Sequence, residues 1–250
     1  MYKLGNDVKD NFYLGARGVG ASKKLLGNVE ILSVFISEEK GEWPSLQKNG
    51  YFSAIKKASD FLMREAKRYG ATLNITGSHF DTTIPSGTNH KDGYEIVKDF
   101  FNRDTVQEAQ EYYENKGDFD ETPFILVFNK RGRSFARKRN VNAQYDAEEI
   151  SVVYYDKTNR DENAVAVIVH ELLHQFGATD FYFPSRVKKV ATKYIGKSIM
   201  TSYDDLHIDD LTAYLIGWKD TISRDSYQFL KDTMWMNKRE YYKAVDDEWK

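Results

Sequence analysis

Apolar residues change their spacing several times along the chain, and each change marks an element. Val29 to Ser37 is β-branched and aromatic enough to predict a buried strand. Gly41 to Gly50 reads as a loop. From Phe52 to Tyr69, Ile55, Ala58, Leu62 and Ala66 recur at helical spacing between lysines and arginines, and Gly70 stops the helix. Leu73 and Ile75 alternate within a second strand, Ala71 to Thr76. The part from Phe80 to Thr122 has weaker periods: a loop over 82–90, helices over Tyr94 to Asn102 and Thr105 to Asn115, and an acidic loop from Gly117 to Glu121. It reads as an insertion between strands. Phe124 to Asn129 is the most apolar run and predicts a central strand. A short strand follows at 132–137, its charges suited to a sheet edge, and another spans Glu149 to Asp156. A helical run begins at Asn163, with N-cap candidates from Thr158 to Asp161. Later helices are expected over Asp209 to Trp218, capped by an aspartate, and through Tyr227 to Met234.

This order predicts an α/β fold with a mixed, twisted sheet. The expected division is an N-terminal arm at 1–27, a main domain at 28–220 containing the 80–122 insertion, and a mainly helical C-terminal extension at 221–250. The 250 residues suffice for one good-sized domain. Charge is nearly balanced, at a formal −2, which argues against a nucleic-acid partner. With no cysteine, disulfides, cysteine-ligated zinc and a thiol nucleophile are excluded. No apolar run has the length of a membrane span, and the first residues show no secretory signal. The expectation is a soluble protein, cytoplasmic or exported by a leaderless route, with its oligomeric state left open.

The chemistry concentrates between Asn163 and Asp180. His170 and His174 are four apart, so a helix puts both imidazoles on one face, one turn apart. Glu171 points about 100° round the same helix, toward the edge of that face. In this His-Glu-x-x-His arrangement two neutral imidazoles hold zinc and the carboxylate is the general base. Gly177 stands where a left-handed C-cap would reverse the chain, and Asp180 is placed to swing back as third ligand. The plain alternative is two hydrogen-bonded histidines on a helix packed by Val165, Val167, Ile168, Val169, Leu172, Leu173 and Phe176.

Three pieces in sequence resemble the metzincin metalloproteases: His170 to Asp180 (His-Glu-Leu-Leu-His-Gln-Phe-Gly-Ala-Thr-Asp), Ser198-Ile-Met200-Thr-Ser-Tyr203, and Asp209 to Gly217. The second is similar to that family's Met-turn and the third to the helix after it. Asp180 in place of a third His resembles the snapalysin-like branch. The resemblance implies a zincin-type fold and zinc-dependent hydrolysis of peptide bonds in a protein or peptide substrate. Zn2+ would be held by His170, His174 and Asp180, with water activated by Glu171. It also offers Tyr203 as a transition-state tyrosine, although Tyr203 lies three residues after Met200 rather than two. Substrate would lie extended along the strand at 132–137.

Other readings stay open beside this one. His207 is an alternative third ligand, and Asp209 or Asp210 could serve a thermolysin-like arrangement, although an N-cap explains them more simply. His79 and His90 read as solvated. Asp118 and Asp120 could bind calcium, but a solvated loop fits them better. The six basic residues of Lys130 to Arg139 read as a solvated face, or as a preference for acidic substrate segments. Two further function classes compete: a zincin-like binding or effector protein without turnover, and a nucleic-acid-binding protein using the basic stretch.

Overall fold

The computed structural model describes residues 1–38, 43–85, 87–88, 93–138, 149–155, 161–237, 239–241 and 243–244. Its centre is a five-stranded sheet in the order β2-β1-β3-β5-β4. The strands are β1 (Gly27–Glu38), β2 (Leu73–Ile84), β3 (Phe124–Phe128), β4 (Phe135–Arg137) and β5 (Ile150–Tyr154). All pairings are parallel except β4 with β5, which is antiparallel. Successive side chains of a strand point to opposite faces, so β1 feeds two cores. Val29, Ile31 and Phe35 join one, while Leu32, Val34 and Ile36 join the other. Burial on both faces is why β1 and β3 read as continuous apolar runs.

On the first face lie α1 (Ser45–Arg68) and α4 (Asp161–Gln175), and on the second α2 (Gly93–Phe101) and α3 (Val106–Gly117). Three shorter helices follow: α5 (Ser185–Tyr194), α6 (Asp210–Leu215) and α7 (Arg224–Asp232). With a 3-10 turn at Phe12–Leu14, the described residues contain seven α-helices and this one short helix. None is long and apolar enough to cross a membrane.

Several elements differ from the sequence expectation. α1 starts at Ser45, inside the expected loop. β2 runs on to Ile84 because its backbone pairs with β1 residue by residue, from Gly27 with Leu73 to Glu38 with Ile84. Its outward side chains are polar, as befits an edge, so their pattern carried little strand signal. α5 was not expected at all. The segment read as an arm contributes Val8, Phe12, Tyr13, Ala16 and Leu25 to the first core, and Tyr2 pairs with Ile222. His90 and the N-cap candidates at 158–160 lie outside the described residues.

Candidate metal centre

α4 is locked to the sheet before any ligand is placed. The Gln175 amide donates to the Phe124 carbonyl at 2.9 Å and to Ser151 Oγ at 2.7 Å, and Ser151 Oγ donates to the Glu171 carbonyl at 2.8 Å. Leu172, Leu173 and Phe176 are fully buried. The helix ends as its sequence requires. Ala178 N–H reaches back to the Leu173 carbonyl at 3.1 Å, and Gly177 takes φ +98°, a left-handed conformation that favours glycine.

The reversal carries Asp180 back over the helix. Asp180 Oδ1 lies 3.1 Å from His170 Nε2 and 3.3 Å from His174 Nε2, and the two Nε2 atoms are 3.0 Å apart. The far side of each ring fixes what these atoms carry. His170 Nδ1 meets the Ile199 carbonyl at 3.0 Å, and His174 Nδ1 meets the Ala178 carbonyl at 2.9 Å. A carbonyl only accepts, so both Nδ1 atoms hold hydrogen, and in the neutral rings both Nε2 atoms present lone pairs. Two lone pairs and a carboxylate oxygen therefore converge on one point. They repel one another unless a cation sits among them.

The donor set fits a metal ion. Tetrahedral ligands at about 2.0–2.1 Å from zinc stand about 3.3–3.4 Å from one another, close to the spacings here. Both imidazoles are anchored through Nδ1 to backbone carbonyls, an arrangement typical of ligating histidines. Burial opposes charge on His174, but the Asp180 carboxylate beside it outweighs that and raises its pKa to about 9. Burial likewise opposes ionisation of Asp180, and the neighbouring imidazoles, His174 foremost, hold its carboxyl below the ordinary range.

Glu171 is buried, with a carboxylate oxygen within 4.8 Å of the ligand nitrogens of His170 and His174. Burial pushes its pKa up, against the opposing pull of the two imidazoles. Tyr203 Oη donates to Glu171 Oε1 at 3.2 Å, and its ring lies 4.3 Å from that of His170. Tyr203 is 37% exposed, while Glu171 beside it is buried. Sequence reasoning missed Tyr182. Its ring stands 6.1 Å from His170 and 6.5 Å from Tyr203. Burial, then the Asp180 and Glu171 carboxylates, push its hydroxyl up and keep it a donor, while the Arg133 charge works the other way.

Residues 198–202 support the site from below. Ile199 supplies the carbonyl for His170, and the Met200 carbonyl accepts from Phe181 N–H at 2.8 Å. Met200 itself is fully buried. Ser198 Oγ bonds Asp209 Oδ2, and Asp209 caps α6 by accepting from Leu211 and Thr212 N–H. Asp209 is thus a cap, as the simpler reading had it. The His207 ring is 48% exposed and faces Glu65 at 3.9 Å. His79 is exposed, as its solvated reading had it, with its ring beside Phe52 at 4.8 Å and Phe35 at 6.1 Å. Asp118 ends α3 in a left-handed turn, and Asp120 accepts from Asn28 N–H. The basic stretch is not solvated throughout, because Lys138 is buried against Glu149 at 2.8 Å.

No protein-family model matches the sequence, and no curated protein does. Among solved structures the chain is similar to metalloproteinase-II from Bacteroides fragilis, at 14% identity and a TM-score of 0.36. The match covers 89% of this chain and 61% of that one, so this chain spans less than two thirds of that protein's length.

Proposed function

We propose that this chain is a zinc-dependent metalloendopeptidase of zincin, metzincin-like type. One observation carries the reading: His170 Nε2, His174 Nε2 and Asp180 Oδ1 converge at 3.0–3.3 Å from one another beside a buried carboxylate. Zinc held by those three atoms would polarise a substrate carbonyl and acidify a water. The remaining work falls to the chain's own side chains. Glu171, with its pKa raised by burial, takes the proton from the attacking water and passes it to the leaving amine. Tyr203 fixes one Glu171 oxygen through its hydroxyl and leaves the other for the water. Tyr182, held protonated chiefly by burial, is the donor beside the site for negative charge developing on the carbonyl oxygen. The antiparallel edge strand β4 offers backbone to an extended peptide.

The test is hydrolysis of an unfolded protein with and without Glu171→Gln. The substitution should leave metal bound and lower turnover by about 100-fold or more. Metal bound by the wild type with no cleavage of any peptide would favour a binding or effector role instead. Turnover kept in Glu171→Gln would remove the base assignment.

A further inference from the structure

The third ligand sits on a turn, and that turn is held by a segment far away in sequence. The backbone of Ala16 and Arg17 lies against Gly177: a Cβ built there would stand 2.6 Å from the Ala16 carbonyl oxygen and 3.2 Å from Arg17 Cα. At the other end of the turn, the Tyr13 ring packs on Phe181 at 5.9 Å and on Phe229 at 5.4 Å. Phe181 and Phe229 close the triangle at 5.2 Å, and all three are buried. The N-terminal segment therefore touches both sides of the run that carries Asp180. The same run supplies the Ala178 carbonyl that orients His174.

That segment is itself fastened. Asn11 Oδ1 accepts from Tyr13 N–H at 2.9 Å, while its amide donates to the Leu230 carbonyl at 2.7 Å and to Thr233 Oγ1 at 3.2 Å. Arg17 Nε donates to the Tyr214 carbonyl at 3.0 Å, and its guanidinium lies 4.1 Å from the centre of the Tyr214 ring. The end of α7 and the end of α6 thus fix residues 11–17, which in turn fix the turn 177–181.

We infer that residues 11–17 are the positioning element of the third metal ligand, with Tyr13 its principal residue, so that metal affinity depends on the docked N-terminal segment. This rests on the metal-site reading given above. Among the described residues the Tyr13 hydroxyl has no hydrogen-bond partner, so the ring is what acts, and Phe should replace it. Residues that orient a metal ligand from behind typically change affinity by about 10–100-fold when lost.

The experiment measures zinc affinity of the full chain by competition with a chelator, and the visible spectrum of the cobalt-loaded chain. It compares wild type, Tyr13→Leu, Tyr13→Phe and Val97→Ala, the last a buried site among the second core's side chains. Tyr13→Leu should weaken zinc binding about tenfold or more and alter the cobalt bands, while Tyr13→Phe and Val97→Ala keep both. If Tyr13→Leu does not fold, Asn11→Ser keeps the cap oxygen, removes the tether to α7, and should weaken binding in the same direction. A folded Tyr13→Leu or Asn11→Ser chain with wild-type affinity and spectrum overturns the inference and leaves the metal site standing. Equal weakening in Val97→Ala also overturns it, because general loss of stability would then suffice. A wild type that binds no zinc overturns both.

Discussion

Gly177 shows how much one position can decide. It combines φ +98° with backbone atoms of residues 16 and 17 where a side chain would begin. Gly177→Ala should therefore cost about 1–3 kcal/mol, read as a lower denaturation midpoint, and should loosen the metal as well. The neighbouring histidine sets the response to pH. In the metal-free chain the folded His174 pKa is raised from 6.5 to about 9, so the folded state binds that proton more tightly than the unfolded state. Its contribution to stability is complete below about 6.5 and lost as pH rises through about 9. Zinc reverses the sign, because the ligand must be neutral and binding releases the proton. Thermal midpoints should thus fall from pH 6.5 to 9 without metal, while the increment added by zinc grows over the same range. A metal-free midpoint that does not move would show that the imidazole and carboxylate are not paired as described.

Among the elements, β4 and β5 meet at a buried ion pair. Lys138, at the end of β4, lies 2.8 Å from Glu149, just before β5, and also donates to the Val19 and Ser22 carbonyls. Burial lowers the Lys138 pKa and raises that of Glu149, each opposed by the charge of the other. Lys138→Met should destabilise the chain by about 3–5 kcal/mol, by leaving a buried carboxylate without its cation. Adding Glu149→Leu should return much of that loss, and denaturant titration of the single and double variants checks both. This pair was hidden in the sequence because six basic residues in ten look like a solvated face. The helices show the same limit. α4 was legible because its apolar residues and its two histidines repeat at helical spacing, and α6 because Asp209 announces a cap. α5 fully buries just Val187 and Ala191 among the residues of Ser185–Tyr194, with Val190 and Tyr194 half-buried against the core, too thin a stripe to stand out.

At the scale of the molecule, the sheet order and the packing of the first 27 residues were not legible, since both depend on contacts between distant segments. What could be read was local: strands buried on both faces, and a candidate ligand set confined to eleven residues from His170 to Asp180. Tyr182 escaped because a tyrosine in an aromatic run has no spacing to mark it. The assembly is two helices' worth of support for one turn: α4 presents the histidines, and the N-terminal segment, braced by α6 and α7, holds Asp180 against them. The most direct test of this arrangement is the zinc content of the purified full chain, wild type beside Asp180→Ala. The expected result is one zinc per chain in the wild type and a clear loss in Asp180→Ala. A wild type without bound metal, or an Asp180→Ala chain that keeps its full complement, would contradict it.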